Sequence, residues 1–233
     1  MNAIITGASK GIGRAIACLL AEKGFDLIVC ARGKKALDDL EKEISQINPV
    51  IKFHSLQADL STTEGVETFG RFCLDVCPSI DILINNAGIF IPGEIHKEEP
   101  GILEKLMHTN LYSAYYLTKV LLPKMIQDQH GHIFNMCSVA SIKAYPNGGS
   151  YSISKFALLG LTRVLREELK EKGIKVTAII PGATWSDSWQ GVELPENRLM
   201  EARDVALSIL NAYQLSPQAV VEEIVLRPIL GDL

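Results

Sequence analysis

The stretch AIITGASKGIGRAIACLLAEKG, residues 3–24, decides how the rest of the chain is read. It opens on a short apolar run, turns through Gly7, Gly11 and Gly13, and continues with apolar residues at helical spacing. Glycines at such a turn let the backbone come close to a pyrophosphate, and the free N–H groups opening the helix attract an anion. The G-x-x-x-G-x-G spacing differs from the G-x-G-x-x-G dinucleotide form. The position of the turn, between a first strand and a first helix, therefore carries the reading against an ordinary glycine-rich turn.

Working outward, short apolar runs recur at residues 27–31, 51–56, 80–85, 132–136 and 176–180, with longer amphipathic segments between them. A last helix is expected near residues 203–212 and a last strand near 220–227. Strands that are apolar throughout and alternate with helices belong to a parallel sheet covered on both faces. The expected fold is α/β: a Rossmann-type, doubly wound parallel sheet of about seven strands with helices on both faces. In such sheets ligands sit outside the carboxyl ends of the strands, so function is sought just after each strand.

The chain has 233 residues, 47% of them apolar, and no Pro/Ser-rich linker or charge run divides it, so one domain over residues 1–233 is expected. A net charge of -4 and a pI near 5.8 argue against nucleic acid or an anionic membrane as partner, leaving a small molecule as the expected one. Cys18, Cys30, Cys73, Cys77 and Cys137 show no C-x-x-C or zinc-like spacing, and His54, His96, His108, His130 and His132 are scattered. Neither a disulfide framework nor a metal site is suggested. With no leader-like segment before residue 3 and no apolar run of spanning length, a soluble, unprocessed, cytoplasmic protein is expected.

The second strand is followed by LIVCARGKK, residues 27–35, with no acid where a cofactor bearing a free ribose 2'-hydroxyl is usually met. Arg32, Lys34 and Lys35, with Lys10 in the glycine turn, are instead cations suited to a 2'-phosphate. Solvation of a helix edge is the stronger reading for Lys34 and Lys35. The cofactor expected on this pattern is NADP.

Tyr151 to Lys155, YSISK, sets a phenol and an ammonium four residues apart, on one face of a helix. YYLTK, residues 115–119, repeats the spacing within a long amphipathic segment expected over residues 102–127, with no strand end just upstream. That second pair is expected to be a decoy. NNAG stands at the end of the fourth strand and NMCSVAS at the end of the fifth, which places Ser138 thirteen residues before Tyr151.

TGASKGIG, NNAG, Asn110 in HTNLYSAYYLTK, Ser138, YSISK and Pro181-Gly182, taken in this order over nearly the whole chain, resemble the single-domain short-chain dehydrogenase/reductase family. The resemblance implies a catalytic set of Asn110, Ser138, Tyr151 and Lys155. Tyr151 would be the acid, Ser138 would orient a carbonyl oxygen, and Lys155 would favour phenolate and hold the nicotinamide ribose. Asn110 would hold a water behind Lys155. A free phenol titrates near 10, so a neighbouring cation is expected to draw it toward neutrality. Taken singly, Ser138 is also a turn cap and Asn110 a buried amide satisfying backbone groups.

The resemblance also implies cofactor contacts from Gly7, Ser9, Lys10, Gly11, Ile12, Gly13, Arg32, Asp59, Leu60, Asn86, Ala87, Gly88, Tyr151, Lys155, Pro181, Gly182 and Thr184. Ser186 stands where many relatives carry threonine. Specificity in the family lies in the loops at residues 89–93, 139–149 and 184–203, the last a substrate lid in which Trp185 and Trp189 either cover an apolar carbonyl compound or pack as structural side chains. A homotetramer or homodimer is expected, built on the helix after Tyr151 and the segment near residues 102–127. Two further readings are a non-catalytic NADP-binding sensor and a 3-oxoacyl-carrier-protein reductase. A longer nucleotide-sugar epimerase is disfavoured by the glycine spacing and by the absence of a large C-terminal extension.

Overall fold

The computed structural model describes residues 1–185, 194–195 and 197–232. Seven strands, β1 Asn2–Thr6, β2 Asp26–Ala31, β3 Phe53–Gln57, β4 Ile82–Asn85, β5 His132–Met136, β6 Lys175–Pro181 and β7 Glu223–Leu226, form one sheet in the order β3-β2-β1-β4-β5-β6-β7. Every neighbouring pair is parallel. The order reverses between β1 and β4, which opens a crevice at their carboxyl ends.

Each strand side chain points opposite to the next, so both faces of an apolar strand must be covered. Ala3, Ile5, Leu27, Val29, Ile82 and Ile84 face α1 Gly11–Glu22, α2 Lys34–Ile47 and α7 Ala202–Tyr213. Ile4, Ile28, Leu83, Ile133 and Val176 face α3 Thr63–Val76, α5 Ser113–Asp128 and α6 Gly149–Leu169. A strict one-residue alternation therefore sorts the chain into three layers.

Three strands start two or more residues later than the sequence expectation, β7 among them, at Glu223 rather than 220. β3 starts at Phe53 and β4 at Ile82, because Ile51 and Ile80 belong to the connections that lead into them. The segment near residues 102–127 is helical throughout but not α-helical throughout. α4 Ile102–Met107 passes into a π-helical turn, His108–Tyr112, before α5 begins. Apolar periodicity runs through such a turn with little interruption, and π turns are common at functional sites. This one contains Asn110. Among the described residues, no helix is long and apolar enough to cross a membrane.

Candidate active site

Thr6 ends β1, and its hydroxyl accepts the backbone N–H groups of Asn86 and Ala87, each at 2.9 Å. Asn86 reaches back, its Nδ2 donating to the carbonyls of Thr6 at 2.9 Å and Gly7 at 3.1 Å. The glycine turn and the loop after β4 are thus one body at the point where strand order reverses. Gly7 and Gly11 hold φ of 64° and 51°, values that strain any residue with a Cβ. A Cβ on Gly13 would run into the Gly7 carbonyl and stand 2.5 Å from Asn86 Nδ2. α1 opens at Gly11 with no side-chain cap and no acid in its first turn, which leaves its positive end for an anion. Close backbone approach and a bare helix start fit the pyrophosphate of a dinucleotide.

Beyond β2, Arg32 is exposed and faces Asp59. The Asp59 carboxylate accepts from the Ser61 N–H at 3.0 Å and the Ser61 hydroxyl at 2.8 Å. Those bonds, with the Arg32 charge adding to them, hold Asp59 below the usual carboxylate range. Leu60 beside it is buried. Lys34 pairs with Asp38 at 2.6 Å on its own helix, the solvating arrangement weighed for it above. Arg14 pairs with Glu43 at 2.6 Å.

At the end of β5, Ser138 starts a short 3-10 turn, Val139–Ser141. Its hydroxyl accepts from the Ala140 N–H at 3.1 Å and lies near enough to the Tyr151 phenol to lower its pKa. Cap and site residue are one and the same here. Tyr151 lies in the first turn of α6, with the Lys155 Nζ 5.9 Å from its ring centre. Lys155 is buried and donates to the Met136 carbonyl at 2.8 Å. Burial pushes the Tyr151 phenol up to about 12, against the lowering effect of Ser138, and pushes Lys155 down to about 8. The phenol drawn toward neutrality that the sequence led us to expect is therefore not a property of these side chains alone. Desolvation outweighs the effect of Ser138, and the phenol is held protonated at neutral pH.

Asn110 is buried, its oxygen accepting the Ile89 N–H at 2.8 Å and its amide donating to the Ile89 carbonyl and the Ser154 hydroxyl, both at 3.0 Å. Both amide hydrogens are thus spent on protein. A Cβ on Gly88 would stand 3.3 Å from the Asn110 oxygen and 3.6 Å from Lys155 Nζ, so the NNAG loop, the π turn and α6 meet at one point. Gly182 follows β6 and donates to the Leu226 carbonyl at 2.7 Å. Thr184 is buried and donates to the Gly182 carbonyl at 3.0 Å. Trp185 is 40% exposed. Ser186 and Trp189 lie outside the described residues. Tyr115 is 43% exposed on α5 and Lys119 is exposed beside it, away from this cluster.

Residues 1–197 match the family model described as short chain dehydrogenase. The chain belongs to that family of oxidoreductases. This short chain dehydrogenase is 32% identical to the sepiapterin reductase of Chlorobaculum tepidum, across 99% of this chain and 97% of the relative. A metagenomic short-chain oxidoreductase solved in complex with NADP is 30% identical, with a TM-score of 0.84 over 98% of this chain and 96% of that one. The alcohol dehydrogenase of Thermococcus sibiricus, solved with 5-hydroxy-NADP, is 26% identical with a TM-score of 0.89 over the same shares.

Two features of this dehydrogenase's site were missed by sequence reasoning. Thr6 was available as a signal, being the hydroxyl at a strand end just before the glycine turn. Glu98, whose carboxylate accepts from the N–H and hydroxyl of Ser150, gave no signal, since its partner lies 52 residues away.

Proposed function

We propose that the protein is an NADP(H)-dependent oxidoreductase that reduces a small carbonyl compound to an alcohol, or runs the reverse reaction, with Tyr151 as acid and base. The carrying observation is the convergence of the Tyr151 phenol, the Ser138 hydroxyl and the Lys155 ammonium at the carboxyl end of β5, beside Gly88.

When bound, nicotinamide supplies or accepts the hydride at the carbon of the reacting group. The cradle for its dinucleotide is the turn from Gly7 through Ser9, Lys10 and Ile12 to Gly13, with Ala87 and Gly88 behind it. Arg32 offers a 2'-phosphate charge-assisted hydrogen bonds, and no acid at the end of β2 competes for a ribose hydroxyl. Solved relatives in complex with NADP support this choice. Pro181, Gly182, Thr184 and Ser186 are assigned to the nicotinamide side.

As hydride reaches the carbonyl carbon, the oxygen gains negative charge and needs a proton and a hydrogen bond. Tyr151 gives the proton, and the Ser138 hydroxyl beside it donates to the same oxygen. Lys155 offsets the charge left on the phenolate and holds the ribose. Asn110 fixes the loop after β4 against α6 through Ile89 and Ser154, and only its oxygen side remains to hold a relay water.

Phe90 meets the Tyr151 ring edge-on at 4.8 Å between centroids, and Tyr145 and Trp185 stand on the other two substrate loops. These aromatic surfaces favour an apolar carbonyl compound. A sensor without catalysis would have no use for a protonated phenol beside a buried lysine. The outer face of α6 exposes Ile153, Phe156 and Val164, and that of α5 exposes Tyr115 and Tyr116. We assign these faces to a symmetric homo-oligomer, a tetramer or dimer, and light scattering showing monomer alone at micromolar concentration would refute it.

The test is NADPH oxidation against a panel holding sepiapterin, a 3-oxoacyl thioester, 9,10-phenanthrenequinone and simple ketones and aldehydes. Consumption dependent on the carbonyl is expected for at least one member. Tight NADPH binding without turnover across the panel would favour the sensor.

A further inference from the structure

The loop that follows β4 and the helix that carries Tyr151 are joined by one carboxylate. Glu98 stands just past a 3-10 turn, Ile95–Lys97. Its Oε1 accepts the Ser150 N–H at 2.9 Å, and its Oε2 accepts the Ser150 hydroxyl. A second tie runs beside it, from the Gly93 N–H to the Asn147 carbonyl at 2.9 Å. The joint depends on missing Cβ atoms. Gly149 has a φ of 32°, and a Cβ there would run into Glu98 Oε1 and the Gly93 carbonyl, while one on Gly93 would stand 2.8 Å from Glu98 Cγ.

α6 begins after Gly148, which has no side chain with which to cap the first turn. Glu98 does this from across the site, putting a negative charge at the positive end of the helix through two charge-assisted bonds. Ser150 is buried and is the residue directly before Tyr151. The loop held by Glu98 also carries Phe90, whose ring packs against the phenol ring. Tyr151 is thus met from two directions by one segment, residues 89–98, which Glu98 joins to the first turn of α6.

We propose that Glu98 is a positioning residue for Tyr151: by tying residues 89–98 to the first turn of α6, it fixes the phenol against Ser138 and seats Phe90 on its ring. This inference rests on the assignment of Tyr151 as acid. Misplacing a reacting group by about 1 Å costs on the order of a hundredfold in rate, so loosening the tie is expected to act on turnover more than on cofactor binding.

The experiment compares Glu98→Ala, Glu98→Gln, Ser150→Ala and Tyr151→Phe, following NADPH oxidation by 9,10-phenanthrenequinone, NADPH affinity and amide hydrogen exchange. Glu98→Ala is expected to lower kcat by about tenfold to a hundredfold with the NADPH Kd within about twofold. Glu98→Gln, which retains an acceptor oxygen, should recover most of that loss, and Ser150→Ala should fall between. Exchange in Glu98→Ala should quicken in peptides covering residues 89–98 and 147–152 and remain as before in the strands. Unchanged kcat in Glu98→Ala, or unchanged exchange in those two regions, would overturn the proposal. So would a parallel loss of kcat, NADPH affinity and protection throughout the sheet, which is the mark of general unfolding. The exchange measurement needs no turnover and decides the tie by itself; normal turnover in Tyr151→Phe would sink the acid assignment instead.

Discussion

Replacing Tyr151 with phenylalanine removes one oxygen and one proton from the site while keeping the ring. The edge-on contact with Phe90, at 4.8 Å between centroids, survives the change. What is lost from the fold is at most one hydrogen bond's worth of contact with Ser138, about 0.5–1.5 kcal/mol net, and relief of a buried phenol offsets part of it. A domain of this size should then melt within a few degrees of the unmodified protein. The effect on rate is of another order. Losing a general acid lowers turnover by about 10² to 10⁴, which is roughly 2.7–5.5 kcal/mol of barrier. Catalysis should therefore collapse in a protein that folds and binds NADPH almost as before. Tyr115→Phe is the control, because its phenol is 43% exposed and its ring packs on Tyr116 at 5.1 Å with no oxygen involved. Both variants are assayed by NADPH absorbance with one accepted carbonyl, alongside thermal melts and NADPH titration. Near-normal turnover in Tyr151→Phe, or a collapse confined to Tyr115→Phe, would refute the assignment.

Arg32→Asp should weaken NADPH binding by about ten- to a hundredfold, from the loss of roughly 1.5–3 kcal/mol of charge-assisted bonding, while leaving NADH nearly as it was. Equal Kd values for the two cofactors in the unmodified protein would count against NADP. His132 gives a pH dependence of stability. The Thr177 hydroxyl donates to the Val221 carbonyl, so His132 Nε2 donates to Thr177 at 2.7 Å and the bare Nδ1 is buried without a partner. Burial, aided by Lys175, pushes this imidazole down to about 3, so the unfolded chain takes up its proton first as pH falls below about 6.5. Stability from this group is present above that pH and lost below it, by about 2 kcal/mol between pH 7 and pH 5. Urea unfolding at the two pH values should show His132→Leu losing about 2 kcal/mol less than the unmodified protein; equal losses would refute this.

The sequence by itself determined the layers and the helix that matters. Apolar strands repeating between amphipathic segments admit a buried parallel sheet and little else, and each strand's alternation was written in adjacent residues. The Tyr151 and Lys155 pair was legible because four residues make about one helical turn, a distance set by local geometry. The same geometry made Tyr115 and Lys119 look identical. Their lack of a strand end just upstream was the one sequence signal against them, and the fold turns them outward from the crevice. Four things came only from tertiary structure. The π turn at Asn110 escaped because it scarcely disturbs apolar periodicity, and Ile51 and Ile80 misled because an apolar residue leading into a strand looks like part of it. The phenol's elevated pKa escaped because desolvation is summed over every element packed around Tyr151, whereas sequence shows only the lysine one turn away. Glu98 escaped because its bond to Ser150 spans 52 residues, and a contact of that span exists only once β4, β5 and α6 have been packed side by side.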